Sequence, residues 1–572
     1  MPPKAQQHKD TLIESVVTVL RQRVPKARAD SAEAFLRLYF QNVPPDDLLS
    51  QEEDNLYGAA LCLWQFSATR GPKEAKIRVY NPQYDEHAWH SAHTVVEIVN
   101  DDMPFLVDSV TAALNGLGLT VHLVIHPIAK VVRDPAGQMQ SVHDVAVAPK
   151  DAIGESYMHI EVDEQTSAET LERIGDCLAR VLRDTRFAVE DWRTMRSRVT
   201  EVTEEIAAGP AKWVPEDETK EAVEFLRWMD NDHFTYLGYR EYAFRTVRGE
   251  TQMSIVPDTG LGILREDDVS VFEGMLRKFS TLPPDVQQFV QQPRLLMVTK
   301  ANLRSTVHRP VHLDVVVLKV FDDKGKVVGE RMVVGLFTSV AYNRSASDIP
   351  FLRRKVSQLL ARAEFEPRSH DGKALTHILD TYPRDELFQS SDDELLATAL
   401  GVLHLQERQR TALFIRRDPY QRFVSCLVYT PRERYHTDLR KLFEKILEAA
   451  FNGTVTAYYT QFGEGVHARV QFIVKTEPGR VPEISVPDVE ASLVQAGRTW
   501  ADLLQDALVE AKGEEAGLTL VRRYGEAFPT SYREKTLPQA AIFDIGRVEE
   551  VIATGTIGLN LYRPIEAAEN QI

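Results

Sequence analysis

The stretch TVVEIVNDDMPFLVDSVTAALNGLGLTVHLVIH, residues 94–126, decides the fold of this chain. Residues 94–100 form a short apolar run that is typical of a strand. Four apolar residues then recur at helical spacing and predict a helix with one buried face: Leu106, Val110, Ala113 and Leu117. In residues 119–126 apolar and polar side chains alternate, as in a half-buried strand. The stretch therefore predicts a strand, a helix and a second strand in succession.

The flanking segments complete a small module. A strand is predicted at 156–162 and a helix at 167–183, and another strand-like run, 76–80, precedes the quoted stretch. The order strand, helix, strand, strand, helix is that of the ferredoxin-like βαββαβ plan. It predicts a small sheet that two helices cover on one face.

The same order returns later in the chain. It consists of a strand, a helix, two strands and a long helix at 421–430, 437–450, 454–462, 466–475 and 488–511. Two copies of one plan predict a repeated module.

The other segments are mostly helical. Amphipathic helices are predicted at 10–24, 30–41 and 46–66. Between the modules we expect helices near 218–230, 347–363, 372–381 and 392–409, and strands at 295–299, 312–320 and 327–337. The predicted fold class is α+β and multidomain, with two modules separated by helical segments and a mixed α/β region.

Composition narrows the classes of function. The chain has 572 residues, 43% of them hydrophobic and 26% charged, which is typical of globular proteins. Its net charge of −17 makes nucleic acid and anionic membranes unfavourable partners. The three cysteines, Cys62, Cys177 and Cys426, lie far apart and favour a reducing compartment over a disulfide framework. The longest apolar run, 118–132, contains His122, His126 and Lys130 and is too short to span a bilayer, so we expect a cytoplasmic protein.

At Gly463-Glu464-Gly465 the glycine spacing approaches the dinucleotide-binding motif. That motif requires a helix to begin at its third glycine. Here HARVQFIVK follows, whose alternation predicts a strand, so we interpret the glycines as a hairpin turn. We predict no cofactor-binding residue and no catalytic residue in this chain.

Two histidine pairs are candidates for metal ligands. His122 and His126 would lie about 13 Å apart on one strand, too far to share an ion. His308 and His312 could bind an ion from a helix, but Pro310 argues against a helix there. We predict no metal site.

Acidic residues surround the predicted start of the helix in the quoted stretch. Asp101, Asp102 and Asp108 could act in acid–base chemistry, but capping of the helix, with Asp102 as N-cap, is the favoured interpretation. A third interpretation is an effector site, where helix N–H groups take the carboxylate of an amino acid and an aspartate takes its ammonium. The candidate effector-binding residues are Asn100, Asp101, Asp102, Gly116 and Gly118.

Residues 227–242, RWMDNDHFTYLGYREY, concentrate aromatic and charged side chains. His233 next to Asp232 could be a catalytic base with its orienting carboxylate, but neighbours on a strand point to opposite faces. A packing corner is the favoured interpretation.

Six segments, in this order, resemble the amino-terminal half of the large bacterial NAD-specific glutamate dehydrogenases: VEIVNDDMPFLVDSVTAAL, FLRWMDNDHFTYLGYREY, RSTVHRPVHLD, GLFTSVAYNRSASDIPFLRRKV, HDGKALTHILDTYPRDELF and RRDPYQRFVSCLVYTPRERY. The resemblance implies that the two modules are ACT-like domains, which are often associated with amino-acid sensing. It also implies that the catalytic region, which uses NAD, lies downstream of this chain, and that the enzyme is a homo-oligomer. The chain would then be a fragment, a split gene product or a natural truncation.

With the resemblance, the expected domains can be bounded. They are a helical cap at 1–75, a first ACT-like domain at 76–200, a linker at 201–220, an α+β domain at 221–345, a helical segment at 346–415, a second ACT-like domain at 416–512, a helical connector at 513–555 and the start of a truncated third ACT-like domain at 556–572. The implied function is a non-catalytic regulatory and assembly region, with the catalytic domain and an amino-acid effector as partners. The alternative is a free-standing ACT-type amino-acid sensor, and activity of the chain itself is left open.

Overall fold

The computed structural model describes residues 3–209, 213–247, 250–272, 279, 282–405, 408–463, 465–477 and 479–558. The chain divides into two compact units, Met1–Leu282 with Val290–Asp392 and Pro283–Phe289 with Asp393–Ile572. Over the residues described, no helix combines the length and the apolar character that crossing a membrane requires.

The first unit begins with a cluster of four helices, α1 (Pro3–Arg23), α2 (Lys26–Gln41), α3 (Pro45–Leu49) and α4 (Glu53–Phe66). The helix predicted at 46–66 is thus broken after Leu49. Apolar side chains of the cluster, such as Phe35 and Leu63, share one core with Val99 and Tyr157 of the first sheet. We call these four helices the cap, because they cover that sheet.

The first module has the elements β1 (Lys76–Tyr80), α5 (Tyr84–His87), β2 (Thr94–Asp101), α6 (Leu106–Gly116), β3 (Val121–Ile125), β4 (Ile128–Arg133), β5 (Met139–His143), β6 (Ile153–Val162) and α7 (Ala168–Ala208). The strand order is β1-β2-β6-β4-β5, with β3 also paired to β6, and neighbouring strands are antiparallel. Helices α6 and α7 pack on one face and the cap on the other. Two helices cover one face of the sheet, as predicted, and the cap adds a cover on the other face, whereas the hairpin β4–β5 was not predicted.

The edge strand of the first module, β1, has a different place in the sequence from the edge strand of the βαββαβ plan. In the βαββαβ plan it follows the second helix, whereas here β1 precedes the module and pairs with β2. The strands β1, β2, β3 and β6 and the helices α6 and α7 follow the sequence order ββαββα, and β4 and β5 add two further strands to the sheet.

Helix α7 has 41 residues and ends at Ala208, where the sequence predicted an end at 183. The predicted linker, 201–220, is helical at both ends, because α7 runs into it and α8 (Glu216–Trp228) begins within it.

The middle sheet of the first unit is antiparallel, in the order β10-β11-β12-β7-β8 with β9 also paired to β7. Its strands are β7 (Phe234–Val247), β8 (Glu250–Ile255), β9 (Leu261–Gly262), β10 (Leu296–Arg304), β11 (His312–Phe321) and β12 (Val327–Phe337). The helix α9 (Pro284–Val290), which lies between β9 and β10 in the sequence, belongs to the second unit except for Val290. The helices that follow in the first unit are α10 (Ser339–Asn343), α11 (Leu352–Arg362), α12 (His370–Thr381) and α13 (Arg384–Gln389). The next helix, α14 (Asp392–Leu405), belongs to the second unit except for Asp392.

The second unit contains the second module: β13 (Ala412–Arg417), β14 (Phe423–Pro431), α15 (Thr437–Phe451), β15 (Thr454–Phe462), β16 (His467–Lys475), α16 (Val486–Ala496) and α17 (Trp500–Lys512). Its antiparallel order, β13-β14-β16-β15, repeats the plan of the first module, again with the edge strand in front. The single helix predicted at 488–511 is two helices, since Thr499 caps α17 through its side chain.

Three helices end the described chain, α18 (Glu514–Tyr524), α19 (Thr530–Arg533) and α20 (Pro538–Thr554). The strand predicted at 557–563 lies, from residue 559 onward, outside the described residues.

Candidate functional site

The predicted effector corner is the turn between β2 and α6. Helix α6 begins at Leu106, and Phe105 occupies the N-cap position with a φ of 71° and no capping side chain. Asp102 instead donates its backbone N–H to the Gly154 carbonyl at 3.0 Å. The capping role predicted for Asp101 and Asp102 was wrong, because a left-handed residue separates them from the helix.

Asp101 belongs to a network of charged side chains. Its carboxylate accepts hydrogen bonds from Arg70 and Arg186, each at 2.6 Å. Arg70, 1% exposed, also donates to the fully buried Glu155 at 2.8 Å, and Arg133 donates to the same carboxylate at 2.7 Å. Burial raises the pKa of Asp101, but its hydrogen bonds to Arg70 and Arg186 outweigh burial and hold that pKa below its ordinary value.

Asn100 is also engaged by an arginine. Its side-chain oxygen accepts a hydrogen bond of 2.6 Å from Arg186, which lies on α7. An effector ammonium at Asp101 would compete with Arg70 and Arg186 for the same carboxylate. The corner as it stands is an internal charge network that ties α7 to the sheet.

The structure does not bring the five candidate effector-binding residues together in one site. Gly116 ends α6, and Gly118 follows it with a φ of 81°. An 11-residue helix separates them from Asn100, Asp101 and Asp102, a distance of about 16 Å. The three arginines, which do meet at the corner, were not predicted from the sequence.

A second polar site lies where the cap meets the first sheet, and we call it the cap pocket. It is a cavity of about 40 Å³. Its lining includes Tyr39 of α2, Trp89 of the loop before β2, and His159 and Glu161 of β6. Ring centroids of Tyr39 and Trp89 lie 5.8 and 5.7 Å from that of His159. None of these residues was predicted from the sequence.

Charged groups surround His159 on the sheet. Its Nε2 lies 3.6 Å from Glu161 and its Nδ1 3.9 Å from the buried Glu97. Glu97 is also bound by Arg78 and by the Tyr80 hydroxyl. Burial raises the pKa of Glu161, but its hydrogen bond to His159 and the charges of nearby histidines outweigh burial and lower that pKa.

The aromatic segment forms a packing corner, as predicted. The His233 ring stacks on Trp228 at 4.4 Å, and its Nδ1 hydrogen-bonds with the Trp228 carbonyl at 2.9 Å. Phe337 packs edge-on against Phe225. Asp232 has a φ of 59°, so it lies in a turn and not on a strand beside His233.

The histidines of the two candidate metal-binding pairs hydrogen-bond with other groups of the protein. His122 hydrogen-bonds with Asp163 and His126 with Ser156, each at 2.8 Å. His308 lies 3.1 Å from Asp108, and His312 hydrogen-bonds with the Ala301 carbonyl. In the described part of the chain, no three His, Cys, Asp or Glu side chains are grouped as metal ligands would be.

The sheets of the described residues do not have the fold that binds NAD. Gly463 and Gly465 connect β15 to β16, an antiparallel pair, and no helix begins after them. A dinucleotide fold needs a glycine turn between a strand and a helix at the edge of a parallel sheet. The strand pairs within the described ranges are antiparallel.

Comparison with protein families identifies the modules. Profiles of glutamate dehydrogenase domains match the ACT1 domain at 35–178, helical motif 1 at 349–408, the ACT2 domain at 412–501 and helical motif 2 at 507–551. The fold is therefore a multidomain chain of ACT domains and helical motifs. The ACT1 match begins within the cap.

Curated relatives extend the match over nearly the whole chain. The chain is 38% identical to an NAD-specific glutamate dehydrogenase of Halomonas elongata and 32% identical to one of Pseudomonas aeruginosa, over 97% of its length in both cases. It is 30% identical to the enzyme of that name from Mycobacterium tuberculosis over 80% of its length. The chain belongs to this glutamate dehydrogenase family. It spans 34%, 34% and 27% of the length of these relatives.

Proposed function

We propose that this chain is the amino-terminal regulatory and assembly region of an NAD-specific glutamate dehydrogenase and is itself non-catalytic. The full protein would convert L-glutamate, NAD and water to 2-oxoglutarate, ammonia and NADH. The observation that carries the proposal is that 97% of this chain aligns with two relatives but covers only 34% of the length of each. The poor fit of the antiparallel sheets to NAD supports it.

The proposal includes partners. The downstream catalytic region of the same enzyme would dock on this chain, the whole would form a homo-oligomer, and an amino acid would be the effector. The compartment would be the cytoplasm. No observation favours the free-standing sensor.

An assay of NAD-dependent glutamate oxidation tests the proposal. The purified chain should form no NADH, whereas the polypeptide that continues into the downstream region should do so. The matched control is the downstream region alone, which should be less active or less stable if this chain serves assembly. Turnover by the purified chain alone would contradict the non-catalytic role.

A further inference from the structure

Helix α20 has one apolar stripe that is covered along only half of its length. Ala541, Ile545, Val548 and Ile552 follow one another at intervals of four, three and four residues, which places them on one face of the helix. Ala541 and Ile545 are buried in a core that α20 shares with α17. Val548 is 39% exposed and Ile552 is 55% exposed. The stripe therefore continues beyond the part of α20 that the described residues cover.

The spacing of the stripe fits a second helix. Intervals of four and three residues form the seam along which two helices pack side by side, with the side chains of one helix between those of the other. The charged residues beside the uncovered half already have partners, since Arg547 pairs with Glu550 at 2.6 Å and Glu549 with Arg523 at 2.7 Å. The contact that is left for a partner is therefore apolar.

The small size of the uncovered half favours a partner on the same polypeptide. A stable interface between separate proteins uses about 20–30 residues a side, far more than Val548 and Ile552. A short covalent link replaces that area with an effective concentration in roughly the millimolar range, so a few apolar contacts are enough. Residues 555–572 can separate α20 from whatever follows them by at most about 60 Å.

We propose that Val548 and Ile552 of α20 form the docking surface for an amphipathic helix of the polypeptide that follows residue 572. This inference rests on the proposed function, in which the chain continues into a downstream region. Two relatives have room for such a helix, because the chain spans only 34% of the length of each. The inference deepens the proposed function by naming a surface on which the downstream region docks.

Docking has a local consequence that can be measured. In the chain alone, the last turns of α20 have an uncovered stripe, so their amides exchange by local opening. A helix packed on Val548 and Ile552 would bury both side chains and slow that opening. The amides of residues 548–554 report on the contact directly.

The experiment is amide hydrogen exchange on this chain and on the longer polypeptide that continues downstream. Residues 548–554 should exchange about tenfold more slowly, or slower still, in the longer polypeptide. Ile552→Lys and Val548→Lys should each abolish that difference, because an ammonium cannot be buried on an apolar seam. Lysine is a good helix former and is favourable near a helix C-terminus, so α20 itself should persist.

Phe543→Lys is the matched control. Phe543 lies on the same helix and is 65% exposed, but it is not on the stripe, so its replacement should keep the slow exchange of residues 548–554 in the longer polypeptide. In the chain alone, all three variants should melt at the temperature of the parent, because they replace exposed side chains. That measurement also shows that the variants fold.

Four results would overturn the inference. Equal exchange of residues 548–554 in the two polypeptides would show that nothing docks on the stripe, and retained protection in both stripe variants would place the contact elsewhere. A lower melting temperature of Ile552→Lys in the chain alone would assign the stripe to packing within the chain. Sedimentation of the chain as a dimer that Ile552→Lys dissociates would make a second copy the occupant. None of these results decides the proposed function, whose own test is NADH formation by the chain and by its continuation.

Discussion

Glu155 is the side chain on which the charge network of the first module depends. It is fully buried and accepts hydrogen bonds from Arg70, Arg133 and the Tyr157 hydroxyl. Glu155→Gln keeps the size but removes the charge, and it leaves two buried guanidinium groups without their shared carboxylate. We expect a loss of about 3–5 kcal/mol in the opening free energy of β2 and β6, measured by hydrogen exchange.

The control is Glu14→Gln, which removes the partner of Arg37 in an ion pair whose side chains are 63% and 41% exposed. Exposed ion pairs contribute little to stability, so this variant should resemble the parent. Equal effects of the two variants would show that burial gives Glu155 no special role.

The charge network around Glu155 also predicts how the stability of the chain depends on pH. Burial raises the pKa of Glu155, but hydrogen bonding by Arg133 and the charge of Arg70 outweigh burial and lower it below its ordinary 4.5. A carboxylate with a lowered folded-state pKa contributes its stability above the unfolded pKa and loses it as the pH falls. The parent should therefore lose stability below about pH 4.5, and Glu155→Gln should lose less.

At the scale of single residues, the sequence indicated the acidic corner but not its partners. Asp101 pairs with Arg70 and Arg186, which lie 31 and 85 residues away. No local pattern reports such distant pairs. The cap pocket could not be predicted from the sequence for the same reason, because Tyr39 and His159 come together only when the cap covers the sheet.

Among the elements, α7 connects two parts of the first unit. Its 41 residues span about 60 Å. Leu178 belongs to the core of the first module, while Asp191 accepts the N–H of Gly262 at 2.7 Å beside β7. Arg193 is an exposed residue inside α7. Arg193→Pro should break the helix there, at a cost of about 3 kcal/mol or more.

Hydrogen exchange checks this prediction. Arg193→Pro should reduce the protection of β7 amides more than that of β2 amides, because the break lies on the side of the middle sheet. Arg193→Ala, the matched control, keeps the helix and should exchange like the parent. Unchanged β7 protection in the proline variant would mean that the middle sheet does not depend on a continuous α7.

Elements with a strong local pattern were predicted well. The strands at 76–80, 312–320 and 327–337 and the helix at 437–450 lie close to their predicted bounds. The break at residues 497–499 was missed, although Gly497 ends α16 and Thr499 caps α17. The edge strands β1 and β13 precede their modules, and pairing to a distant strand is not encoded in local periodicity.

At the scale of the whole molecule, each of the two compact units has its own core. Phe443 lies fully buried in the core of the second module, packed with residues of β14 and β16. Phe443→Ala should cost about 3–5 kcal/mol, because it removes a large buried ring and leaves a cavity. Hydrogen exchange should then accelerate in β14 and β16, whereas protection of β2 and β6 should not change if the units unfold separately.

Leu442→Ala is the matched control for this prediction, since it replaces the neighbouring residue on the same helix at a site that is 43% exposed. Its cost should be within about 0.5 kcal/mol. Loss of β2 and β6 protection in Phe443→Ala would contradict separate unfolding, because a cavity in one core would then be felt throughout the chain.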